Sequence, residues 1–250
     1  LSSRHEELTV AMASGYAKAS GKLPAVLLHG TVGSLHATMA LRGALHEQVP
    51  MVVFAGESIA FGEGEDPDLG EQWLRQLADV DGVVHFVERC VKWSTTVNSI
   101  AVMPAMLQRA CQLAMQPPKG PVFVCIPTEF LLDKMTTDAP ASGSFPVPAT
   151  AGLQGIEELA DTLTNAKNPI IISESAGENP RSVELLVELA ELLEVPVVET
   201  RFCAYGNFPR CHPLHGGFEP AEFLQDADVI ILISAVAPWH PPSMRPNKGC

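Results

Sequence analysis

Short, nearly unbroken apolar runs set between helical stretches restrict this chain to one kind of architecture. The runs are Ala25–Leu28, Met51–Ala55, Val83–Val87 and Val122–Ile126. A strand with one wet face alternates apolar and polar residues. A continuous run belongs to a strand covered on both faces, which means a parallel sheet with helical crossovers. Apolar residues three and four apart predict helices over Leu8–Ala19, Leu35–Leu45 and Ile100–Met115. Pro50 and Pro121 stand at strand entrances, where a missing N–H costs little.

From Thr136 to Thr150 the periodicity gives way to Ala, Pro, Ser, Gly and Thr, the composition of a connector. The rhythm then restarts. Helices are predicted at Ile156–Thr164, Arg181–Leu193 and Glu222–Gln225, and strands at Pro169–Ile172, Pro196–Val198 and Val229–Ile233. The expected class is therefore α/β, with two domains of open, mainly parallel sheets flanked by helices. The expected boundaries are residues 1–135 and 153–250, with a linker at 136–152.

Composition excludes several roles. A net charge of −13 repels a phosphate backbone, so nucleic-acid binding is disfavoured. The longest apolar runs, such as Val229 to Val236, are too short to span a bilayer. Six cysteines form no C-x-x-C pair and no zinc spacing, which suits reduced thiols and a cytoplasmic setting. The chain begins at Leu1, as expected for a processed product or a fragment.

Glu6 is the sharpest candidate for chemistry. It opens the first helix, where a carboxylate can share a proton with a ligand nitrogen if an apolar cleft favours its neutral form. Ser3-Arg4-His5-Glu6 also fits the S-x-x-E capping box, in which Glu6 would only bond back to its own helix terminus. Both readings stand on spacing alone, and the adjacent Glu7 leaves the register open by one residue.

His29 sits where the first strand ends, the ligand-facing edge of an open α/β sheet. It could exchange protons with a substrate, or merely shape the turn. Gly30, Gly33 and Ser34 follow, and would let backbone approach a ligand closely. His36 lies early on the next helix and faces either a cleft or solvent. The acidic stretch Gly62 to Asp68 lacks the full calcium-loop pattern and reads as a solvated loop. Gln72 follows it. His212 and His215 are three apart without further ligands nearby, so they read as structural. No residue of the chain is assigned to a metal.

Taken in order, these landmarks resemble a known family. Glu6 precedes Gly15-Tyr16-Ala17 and Gly21-Lys22. The Leu28-His29-Gly30 turn comes next, followed by Val49-Pro50-Met51-Val52-Val53 ending at Gly56. Val91-Lys92-Trp93-Ser94 and Lys119-Gly120-Pro121-Val122-Phe123-Val124 with Ile126-Pro127 complete the series. The series is similar to the pyrimidine-binding domain of thiamine-diphosphate (ThDP) enzymes of the acetolactate synthase and benzoylformate decarboxylase kind.

That resemblance implies a ThDP-binding fold followed by a Rossmann-like middle domain, and part of a 2-oxo acid decarboxylase or carboligase. Glu6 would be the catalytic carboxylate and a cofactor ligand, and His29 a catalytic proton carrier. Gly30, Gly33 and Ser34 would line the coenzyme, with His36 and Gln72 near the substrate. It also implies a small 2-oxo acid substrate and a homodimer or homotetramer. Mg2+ would be held through a Gly-Asp-Gly motif that occurs nowhere in these 250 residues. The first strand and helix of the family's first domain and its diphosphate-binding domain are thus expected to be missing, and the chain alone to be inactive. FAD binding is not expected, since Ser234-Ala235-Val236-Ala237 stands where acetolactate synthases carry a Gly-Ala-Arg-Phe-like segment. The alternative is a non-catalytic ThDP-fold regulatory or assembly protein.

Overall fold

In the computed structural model the chain divides into two units, Leu1–Pro148 and Ala149–Cys250. Residues 1–57, 82–134, 152–201, 203–236, 239, 245 and 246 are described. Each unit is an open parallel sheet with helices, as the apolar runs require.

The first unit opens with α1 (Glu6–Ser20), which buries Val10, Ala13 and Ala17 along one face. It stops at Gly21, whose left-handed φ of 67° lets its N–H reach the Ala17 carbonyl. The strands β1 (Ala25–Leu27), β2 (Met51–Glu57), β3 (Trp93–Thr96) and β4 (Pro121–Pro127) pair in the order β1-β2-β4-β3, all parallel. The central strand β4 is buried on both faces. Phe123 and Cys125 enter one core layer with Val10, Leu41 and Val53. Val122 and Val124 enter the other with Val52, Ala110 and Ala114. Because every strand runs the same way, Leu27, Glu57, Thr96 and Pro127 end at one edge of the sheet.

Two expectations need correction. Val83–Val87 is a helix rather than a strand. Gly82 turns into it at φ 78°, and the Glu57 carboxylate accepts the Val83 N–H at 3.0 Å. A five-residue apolar run cannot distinguish a buried strand from a short buried helix. The sheet takes Trp93–Thr96 instead, a half-buried strand whose polar residues gave no apolar run. Leu35–Leu45 is also not one helix. It splits at Ala37 into α2 (Thr31–His36) and α3 (Thr38–His46).

The second unit contains helices Leu153–Asn165, Pro180–Leu193 and Ala221–Leu224. Its strands β5 (Pro169–Ser173), β6 (Val197–Glu199) and β7 (Val229–Ile233) are parallel in the order β6-β5-β7. Pro180 occupies the first turn of its helix, and the Asn179 side chain caps it by accepting from Arg181 N–H at 3.1 Å. Among the described residues no helix is long and apolar enough to cross a membrane.

Candidate active site

The N-terminus of α1 differs from the capping box. His5 is the cap, its Nδ1 accepting from Glu7 N–H at 3.2 Å. Glu6 is therefore the first helical residue rather than the third. Ser3 instead donates to the His5 carbonyl at 2.8 Å and pairs with the Thr9 hydroxyl.

The Glu6 carboxylate is left facing α2, with its side chain 27% exposed. The neutral form expected in an apolar cleft is not favoured here. The residue's own main-chain N–H holds the carboxyl below the usual range; burial opposes this, and His36 adds to it. An ionised carboxylate is an acceptor only, suited to a ligand that brings its own N–H.

The other half of the site comes from the turn after β1. Leu28 continues the ladder by donating to the Phe54 carbonyl at 2.8 Å, and His29 then emerges exposed. A β-carbon at Gly30 would lie 3.1 Å from the Gly56 carbonyl, so the turn passes close over the end of β2. Gly33 is tighter in consequence. A β-carbon there would lie 3.1 Å from that of His29 and 3.2 Å from Glu6 Oε1. Gly33 thus brings the helix-terminal acid and the turn histidine to one place.

Ser34 is fully buried, and its hydroxyl has no hydrogen-bond partner among the described residues. At the end of α2, His36 Nδ1 lies 3.4 Å from Glu6 Oε2. The His36 ring stacks parallel to His5 at 5.5 Å between centroids. The structure therefore brings Glu6, His29, Gly33 and His36 together. Gln72 lies outside the described residues.

Two residues at this edge were missed. His5 precedes the helical periodicity, so nothing in the spacing pointed to it. Glu57 ends an apolar strand and looked like its boundary. Its carboxylate binds both Val83 N–H and the Thr96 hydroxyl at 3.0 Å, tying three elements at the carboxyl edge. Burial first, and Glu57 second, push the Cys125 thiol well up, so that cysteine is an inert core residue.

In the second unit the corresponding polar group is structural. Glu199, 1% exposed, accepts from Asn207 N–H at 2.7 Å and from Asn207 Nδ2 at 3.1 Å. His215 Nε2 lies 3.3 Å from its other oxygen, whereas His212 Nε2 lies 3.2 Å from Glu191. The two histidines serve different carboxylates, in keeping with their structural reading.

Comparison with known proteins finds one family in both units. Residues 1–79 match the family model described as thiamine pyrophosphate enzyme, N-terminal TPP binding domain. Residues 156–248 match the model for the central domain of the same enzymes. The chain is 29% identical to the mitochondrial acetolactate synthase catalytic subunit of Aspergillus candidus, over 92% of this chain and 34% of that protein. It is also 29% identical to the benzoylformate decarboxylase of Pseudomonas aeruginosa, over 92% of this chain and 44% of that one. A solved thiamine diphosphate-dependent 4-hydroxybenzoylformate decarboxylase from Rhodococcus jostii RHA1 superposes with a TM-score of 0.78 at 27% identity, covering 92% of this chain and 44% of that one. The chain thus spans between a third and a half of these relatives' length. Matched in both of its units by models of one family, the chain belongs to the thiamine pyrophosphate enzymes.

Proposed function

We propose that this chain supplies the pyrimidine-binding and middle portions of a ThDP-dependent enzyme that decarboxylates 2-oxo acids or joins them to a second carbonyl compound. The observation that carries the reading is the partly buried Glu6 carboxylate packed beside Gly33 and the His29 turn. The residues fit the coenzyme. Glu6 is an acceptor for a protonated ring nitrogen, the Ser34 hydroxyl is a buried polar group still owed a partner, and Gly30 and Gly33 let the turn pack closely on Gly56 and Glu6, which sets it beside the carboxylate. When bound, the coenzyme supplies an electron sink next to a keto carbon.

Within that site Glu6 would hold a ring proton of the bound coenzyme, and His29 would give or take a proton at the reacting carbon of the substrate. His36 orients Glu6 and lies near the substrate, and Gln72 is proposed as a further substrate contact. Mg2+ is proposed to hold the coenzyme's diphosphate through residues other than these, and FAD to have no part. The 136–152 segment is the proposed connector and the cytoplasm the proposed setting. The proposed assembly is a homodimer or a dimer of dimers.

The test is turnover of the full-length enzyme on pyruvate and on benzoylformate, with products identified. Glu6→Gln is expected to lower kcat by roughly 10²–10⁴-fold, the usual contribution of a placed acid–base group. Undiminished turnover would sink the assignment. Aldehyde or acyloin as the product decides between cleavage and ligation.

A further inference from the structure

The His5 side chain has no part in that chemistry, yet it lies against two residues that do. His5, Glu6 and His36 each offer a ligand atom, and these atoms all lie within 4.8 Å of one another. Among the described residues this is the group of His, Cys, Asp and Glu side chains that meets such a spacing. We infer that His5, Glu6 and His36 form a binding site for a divalent first-row transition-metal ion such as zinc or nickel, with water completing its coordination.

Geometry supports the inference first. Zinc binds histidine nitrogen and carboxylate oxygen at about 2.0–2.2 Å, so neighbouring ligand atoms in a tetrahedral shell stand roughly 3.3–3.6 Å apart. The His36 Nδ1–Glu6 Oε2 separation of 3.4 Å is already such an edge. His5 and His36 are exposed, so their rings can rotate the remaining distance without disturbing the core.

Ligand chemistry supports it second. Two imidazoles and one carboxylate suit zinc, nickel or copper and disfavour magnesium and calcium, which take oxygen shells. Ligation by His5 gives up its 3.2 Å cap bond to Glu7 N–H, so the α1 terminus changes its cap when metal binds.

One consequence rests on the coenzyme reading. A metal on Glu6 Oε2 draws on the same carboxylate that would accept the ring proton, so metal is expected to weaken coenzyme binding. The binding itself does not depend on that reading, and its test needs no turnover.

The test is calorimetric titration of the whole chain with Ni2+. Nickel is the chosen probe because exposed thiols such as Cys211 favour zinc. One ion per chain is expected in the parent. His36→Ala and His5→Asn are each expected to weaken binding at least tenfold. Asparagine is itself a good helix cap, so His5→Asn removes the imidazole without removing the cap. His85→Ala, at the exposed His85–Glu88 pair, is the control and should leave binding unchanged. Equal affinity in the parent, His36→Ala and His5→Asn would overturn the site, as would loss of binding in His85→Ala alone.

Discussion

At the scale of single residues, two carboxylates act through main-chain N–H groups. Asp228 accepts from Lys167 N–H at 2.6 Å and from Asn168 N–H at 2.9 Å, joining the entrances of β7 and β5. Those two bonds, the first foremost, hold its carboxyl below the ordinary range. A folded-state value below the unfolded one contributes stability that is present above the unfolded value, about 3.9 for aspartate, and lost as pH falls through the folded one. Glu6 adds to the same acid limb from an unfolded value of about 4.3. Melting temperature is thus expected to fall as pH drops below about 4.5. Asp228→Asn, which keeps an acceptor without the charge, should flatten that fall. Parallel acid profiles for parent and variant would show that Asp228 carries none of it.

At the scale of elements, a lysine closes a helix. Lys92 Nζ donates to the carbonyls of Leu113 at 2.6 Å and Gln116 at 2.5 Å, at the end of helix Met103–Met115. A cation there meets the negative end of the helix dipole as well as two unpaired carbonyls. Lys92→Met keeps much of the stem and removes both bonds. It is expected to destabilise the protein by about 1–2 kcal/mol in urea unfolding; an unchanged midpoint would show that water caps the helix equally well.

The same segment shows where the sequence was legible. β2 and β4 stood out because burial on both faces writes a continuous apolar run. β3 did not, because Trp93-Ser94-Thr95-Thr96 is only half-buried and keeps its hydroxyls. Val83–Val87 misled for the opposite reason, being apolar for a core it enters as a helix. In the site, Glu6 and His29 could be singled out because each stands at the end of an element. The Glu6–His36 contact could not, since it depends on α2 breaking at Ala37 and on His5 taking over the cap.

At the scale of the whole molecule, an apolar face remains uncovered. Leu8, Met12 and Tyr16 recur every four residues along α1 and are 52%, 40% and 51% exposed. Val32, Leu35 and Met39 on the adjoining α2 and α3 are exposed as well. Large apolar side chains exposed together on neighbouring helices mark an association site more often than scattered ones do. A self-complementary patch is the requirement of a two-fold dimer. The full-length enzyme is therefore expected to sediment as a dimer or larger, and Leu8→Glu with Met12→Glu to shift it towards monomer. An unshifted profile would place the interface elsewhere.

The Glu57 carboxylate has a consequence for how such a molecule can diversify. Strand β2 ends at Glu57 and the helix Val83–Val87 begins 26 positions on, and the Glu57 side chain joins the two by accepting the Val83 N–H at 3.0 Å. With these two points fixed to each other, residues inserted between them need not displace β2, β3 or the turn after β1. Flexible chain added there carries only a slowly growing closure entropy, roughly 0.6 kcal/mol for each doubling of length. That interval can therefore change in length while the acid-bearing helix α1 stays in register.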